Sequence, residues 1–141
     1  MIKKTYFIKP KDYELGGYAS SDIRKILKKI GYDRIFIKRV CSAAYEAEIN
    51  IVIHSNGGIV TFECNSKSIK LYFVDYGPGI KDIELAMTEG YSTATDLDRQ
   101  NGFGAGMGLA NIKRQADVMD IQSSESGTIL YLYYETPKDH L

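Results

Sequence analysis

The chain has 141 residues, with 18 Lys and Arg against 18 Asp and Glu, and 44% apolar side chains that include eleven Tyr and no Trp. This composition excludes an intrinsically disordered chain. A net charge of zero also argues against a whole-protein basic field for nucleic acid or an acidic one for basic partners.

No apolar run is long enough to span a bilayer, and the basic start Met1-Ile2-Lys3-Lys4 lacks the apolar stretch of a signal peptide behind it. Cys41 and Cys64 are too few for a metal cluster or a disulfide framework and read as buried thiols of a cytoplasmic protein. The length suits one domain, residues 1–141. In chain order, alternation predicts a strand at 5–8 and a second around Tyr13, Leu15 and Tyr18. Ser20-Ser21-Asp22 offers a helix cap, Ile23, Ile26, Leu27 and Ile30 follow at helical spacing, and Gly31 stops the run. A longer helix is expected over 33–54, ending at Ser55-Asn56-Gly57-Gly58. Strands at 59–64 and 69–74 form a hairpin, and 82–87 reads as a short helix. Residues 89–108 make an unusually long polar loop. A helix from near Met107 to 116 and a closing hairpin of 118–122 with 128–134 complete about three helices and six strands. Strands grouped in hairpins point to an α+β, two-layer α/β sandwich whose mixed, mostly antiparallel sheet has helices on one face.

Three stretches carry chemistry. The long helix places Glu46, Asn50 and His54 on one face, at i, i+4 and i+8, within otherwise apolar surroundings. A buried carboxylate and amide need partners there. Glu48, nearer the apolar side, has no assigned role. Asp75-Tyr76-Gly77-Pro78-Gly79-Ile80 follows a strand directly; the aspartate projects into the turn's cleft, and the glycines admit a flat ligand. An ordinary tight turn would have the same composition. Gly102-Phe103-Gly104-Ala105-Gly106-Met107-Gly108 leads into a helix, so consecutive backbone N–H groups and a helix N-terminus could cradle phosphate; a flexible hinge reads equally well. It has neither the Walker spacing nor the dinucleotide fingerprint.

With Gly127-Thr128 before the last strand, these stretches resemble, in order and spacing, the GHKL superfamily of ATP-binding domains. Glu46-x-x-x-Asn50 (within 43–54) looks like its N-box, 75–79 its first glycine box, and 102–108 its lid glycine box within 89–108. The likeness covers about residues 40–134 and is nearest to the stand-alone bacterial anti-sigma-factor and stressosome switch serine-protein kinases. Residues 94–101 make the lid longer than that pattern.

The resemblance implies the GHKL (Bergerat) fold with ATP and Mg²⁺ as cofactors. Asp75 would accept from the adenine amino group, supported by Thr128, with Gly77, Gly79 and Ile80 closing around the base. Gly104, Gly106 and Gly108 would wrap the phosphates, and Gly102, Ala105, Met107 and Leu109 would join them in binding the cofactor. Asn50 would supply the Mg²⁺ ligand and Glu46 the general base of phosphoryl transfer. Arg99 in the long lid could steady phosphate charge but reads more readily as a solvated surface side chain, and His54 as a packing or hydrogen-bonding residue at the helix end and not a catalyst.

The function so implied is an ATP-dependent serine/threonine kinase regulating a small STAS-type antagonist in a sigma-factor or stress-signalling switch. The alternative is an ATP-binding anti-sigma or partner-sequestering module without turnover. The resemblance leaves room for a sigma factor, a phosphatase or a second copy of the chain as partner. Nucleic acid and membrane are not expected, since the basic helix at 24–29 lacks a stacking pattern or a DNA-binding motif. Charge is nonetheless uneven: residues 1–40 hold 11 basic and 4 acidic side chains, and residues 41–141 hold 7 and 14. Phosphate binding should therefore rest on backbone N–H groups and Mg²⁺, and the basic part is free to meet an acidic partner.

Overall fold

Val60, Phe62 and Cys64 alternate with Thr61 and Glu63, and this period of two sends every second side chain to one face of a strand. A computed structural model, which describes residues 1–80, 83, 87 and 108–137, carries that alternation into a sheet. The elements run β1 (Ile2–Ile8), α1 (Tyr18–Ile30), α2 (Arg34–His54), β2 (Gly58–Cys64), β3 (Ser68–Asp75), α3 (Gly108–Gln115), β4 (Val118–Ser124) and β5 (Gly127–Glu135). Strand order is β1-β2-β3-β5-β4, and all four pairings are antiparallel.

Register decides which face is buried. Tyr6, Val60, Phe73 and Leu130 align across four strands, as do Phe62, Leu71 and Leu132 across the next row, and all are buried. They join Ile23 and Leu27 of α1, Val40, Ala44 and Ala47 of α2, and Ile112 of α3 in one core. The opposite face carries Phe7, Val118 and Ile129, all exposed, and the Tyr72–Tyr131 ring pair at 5.1 Å. Helices therefore cover one side of the sheet, the two-layer arrangement expected of this element order.

Helix α2 begins where its cap predicts. The Asp33 side chain accepts the Phe36 N–H at 2.8 Å, and the helix runs unbroken to His54. Gly31 ends α1 in the left-handed conformation, its N–H donating to the Leu27 carbonyl. Two expectations need correction. The segment around Tyr13, Leu15 and Tyr18 is a series of turns, and Tyr18 already belongs to α1, so the described residues hold five strands, not six. The alternation of aromatic and aliphatic side chains there spans Gly16 and Gly17, and Gly17 adopts φ +96°, which breaks an extended chain. The helix also starts two residues before Ser20, so Ser20 is not its cap. The short helix expected over 82–87 lies outside the described residues except for Ile83 and Met87, where the Met87 N–H donates to the Ile83 carbonyl at 3.0 Å.

Candidate functional site

Asp75 ends β3, and one of its oxygens organises the turn that follows. Oδ1 accepts the Gly77 N–H at 3.0 Å and the Thr128 N–H at 3.0 Å, tying the end of β3 to the start of β5. Among the described residues nothing donates to Oδ2, which leaves an acceptor for a ligand. The surrounding backbone is closely approached. A Cβ on Gly79, at φ +89°, would stand 1.9 Å from the Ser124 carbonyl oxygen. A Cβ on Gly127, at φ +146°, would stand 2.1 Å from the Asp75 carbonyl oxygen. Neither position can hold another residue without moving the backbone. Gly58, which faces Asp75 in the β2–β3 register, has the Val74 carbonyl oxygen 2.4 Å from where its Cβ would be.

A second layer of hydrogen bonds fixes the turn. Ser123 Oγ accepts the Ile80 N–H at 2.7 Å and lies 2.7 Å from Thr128 Oγ1. The end of α2 is stitched to the same turn, because the Asn56 N–H donates to Gly77 and the Tyr76 N–H donates to Gly57.

Asn50 and Glu46 lie upstream on α2, both half-buried. Asn50 meets the first residue of α3: a Cβ on Gly108 would lie 3.2 Å from its Nδ2. The amide thus sits against a helix N-terminus, where backbone N–H groups favour an anion. Glu46 stands one turn earlier, and burial raises its carboxyl above the ordinary Glu value. Among the described residues no group of three or more His, Cys, Asp or Glu is placed to hold a metal by itself. Leu109, expected among the cofactor-binding residues, has its side chain buried in the core. Gly102, Gly104, Ala105, Gly106, Met107 and Arg99, with the lid extension at 94–101, lie outside the described residues.

Three positioning residues escaped the sequence reading. Glu48 is 1% exposed and accepts three backbone N–H groups, from Gly17, Ala19 and Ser20, at 3.0, 3.1 and 2.9 Å. It caps α1 from another helix. Ser123 bridges the turn and Thr128; its pairing with Thr128 in the closing hairpin was the available signal. Arg39 donates twice to the Gln115 carbonyl and once to Asp117, anchoring the far end of α3.

The histidine kinase-like ATPase domain matches residues 12–134. The chain belongs to that family. Serine/threonine-protein kinase RsbT of Bacillus subtilis is 30% identical over 104 residues, 71% of this chain and 72% of that protein. The anti-sigma F factor of Clostridium novyi is 35% identical over 95 residues, 63% of each. A crystal structure of the RsbU and RsbW domains of Rv1364c from Mycobacterium tuberculosis superposes with a TM-score of 0.65 at 16% identity. That match covers 97% of this chain and 34% of the other, and shows the shared fold. Membership of this GHKL-like family carries ATP binding with it. No helix among the described residues is long and apolar enough to cross a membrane.

Proposed function

We propose that this chain, as a single domain over residues 1–141, is an ATP-dependent serine/threonine protein kinase. Its substrate is a small STAS-type antagonist protein in a cytoplasmic sigma-factor or stress-signalling switch. The observation that carries the reading is Glu46, a half-buried carboxylate with a raised pKa, one turn from Asn50 at the N-terminus of α3. Nucleotide binding alone needs no carboxylate there, whereas a base that must collect a hydroxyl proton benefits from an elevated pKa.

The donor set fits the nucleotide. Asp75 offers Oδ2 to an adenine amino group, and a carboxylate repels the carbonyl that guanine has in its place. Gly77, Gly79, Ile80 and Thr128 hold the base from the turn and β5. Gly108 and Leu109, preceded by Gly102, Gly104, Ala105, Gly106 and Met107, present N–H groups to the phosphates. Asn50 would supply a side-chain oxygen to Mg²⁺, a hard cation that shares its shell with phosphate and water. When bound, Mg-ATP supplies the phosphoryl group and neutralises its charge. Glu46 orients the substrate hydroxyl and accepts its proton, while the buried wall of α2 limits water.

A second reading has its own support, because relatives named anti-sigma F factor match 62–63% of the chain. In that reading the protein holds ATP and sequesters a sigma factor or other partner without turnover. One experiment separates them: capture of partners with Mg-ATP, then phosphosite mapping on the captured protein with wild type and Glu46→Gln. The kinase reading expects a phosphoserine or phosphothreonine that is lost in Glu46→Gln. A stable complex with no transferred phosphate selects sequestration.

A further inference from the structure

A cavity of about 400 Å³ opens between the start of α1 and the middle of α2, lined by Gly17, Ser21, Arg24, Cys41, Ser42 and Tyr45 among others. It lies apart from the Asp75 turn but close to Glu46. Ser42 and Glu46 are four residues apart on α2, about 6 Å along its axis and on one face. We propose that this cleft docks an acidic segment of the protein substrate, with Arg24 receiving a carboxylate so that the neighbouring serine or threonine reaches Glu46. The phosphoacceptor in this assignment is taken from the kinase reading; the cleft and its charge preference stand on the following observations.

The walls are hydrogen-bonding and the one charge in the lining is positive, while Glu46 and Glu48 act electrostatically on the Tyr45 hydroxyl from beside it. Ser21, Ser42 and Tyr45 contribute hydroxyls, and Arg24 is the charged side chain at the cavity. Arg24 makes no ion pair or hydrogen bond among the described residues. A guanidinium left open to solvent beside hydroxyls is suited to a carboxylate, which it can grip at two points. Lys28 stands one turn further along α1, and both cations act electrostatically on the Cys41 thiol. Burial outweighs them and pushes that thiol up to about 11, so Cys41 brings no negative charge to the cleft.

Apart from Glu46, the acids beside the cleft are engaged by other groups. Asp22, the one acidic residue of α1, is taken by Lys4 at 2.7 Å and the Tyr6 hydroxyl at 2.6 Å. Glu48, under the Gly17 and Ser20 wall, spends its oxygens on three backbone N–H groups. The wall is thereby held in place before any partner arrives, which lowers the ordering cost of docking. Residues 1–40, which include α1 and its Arg24, hold 11 basic and 4 acidic side chains, and an excess of that sign favours encounter with an acidic surface.

The test titrates ¹⁵N-labelled full chain with short serine-bearing peptides whose flanks are Asp/Glu, Asn/Gln or Lys/Arg, with Mg-ATP affinity measured in parallel. The acidic peptide should shift the amides of Ser21, Arg24, Ser42 and Tyr45, bind about tenfold tighter than the neutral one, and weaken with salt. Arg24→Glu should remove that preference and favour the basic peptide, with Mg-ATP affinity unchanged. Equal binding of all three peptides, shifts outside the cleft, or an equal response to inorganic phosphate would overturn the assignment. Serine transfer that ignores flank charge in wild type and Arg24→Glu alike would remove the cleft but keep the kinase. Arg24-dependent acidic binding without any transfer would keep the cleft as a docking site and remove the phosphoacceptor.

Discussion

Glu48 Oε1 accepts the Ser20 N–H at 2.9 Å, so the helix that carries Glu46 and Asn50 also holds the first turn of its neighbour. Charge-assisted hydrogen bonds to three otherwise unpaired N–H groups are worth more than a typical local cap. Glu48→Ala leaves those donors buried without partners and should destabilise the fold by about 3 kcal/mol. Glu48→Gln, which retains one carbonyl oxygen, should cost less. Chemical denaturation of the two variants checks the order; equal stability of Glu48→Ala and wild type would remove the cap.

Asp75→Asn separates structure from recognition. The substitution keeps Oδ1 for the Gly77 and Thr128 N–H groups and exchanges the second oxygen for an NH₂ donor. Thermal stability should change little, while Mg-ATP affinity should fall by about a hundredfold or more. Isothermal titration calorimetry decides, and unaltered affinity would displace adenine from Asp75.

Ser123→Ala removes the bridge between the Ile80 N–H and Thr128. The loss of one buried acceptor, at about 1–2 kcal/mol, should weaken nucleotide binding about tenfold through the position of the turn. Ser123→Thr, which keeps the hydroxyl, should recover part of it. Recovery would point to the hydrogen bond, and its absence to packing.

The Glu46 carboxyl is raised in the folded state, and the sign of its effect on stability follows. Below the ordinary Glu value both folded and unfolded forms are protonated, and the burial penalty is absent. As pH rises through the raised folded value, ionisation in a half-buried place costs stability, and the cost persists at neutral pH. Glu46→Gln should therefore raise Tm at pH 7–8 relative to wild type, and the difference should vanish at acidic pH. Phosphotransfer should show an acid limb above the usual Glu value of 4.5. A Tm lowered at neutral pH by Glu46→Gln would contradict the desolvation.

Local rules made most of the fold legible. Asp33, the apolar helix behind it and the Asn56-Gly57 turn mark α2 at both ends, and the strand hairpins follow from alternation and short polar turns. The start of α1 was not legible, because its acceptor comes from Glu48, some thirty residues away in sequence. The Tyr13–Tyr18 alternation misled for a related reason: side-chain pattern says nothing of the left-handed Gly17 that ends extended structure. At the candidate site, glycine spacing marked the Asp75 turn. It could not reveal that Ser123 would brace the turn from across the hairpin, since that contact depends on β4–β5 register.

Asp75 has a glycine pressed against its backbone from each adjoining strand, Gly58 on β2 and Gly127 on β5. These three positions form one mutational unit spread over seventy residues of sequence. A library randomised at 58 and 127 and selected for nucleotide retention should return glycine at both. No single change at residue 75 can open room for a side chain, because the obstructing atoms belong to the main chain of β3. Divergence of specificity within such a pocket is channelled away from its floor, toward the rim and the surfaces that meet other proteins.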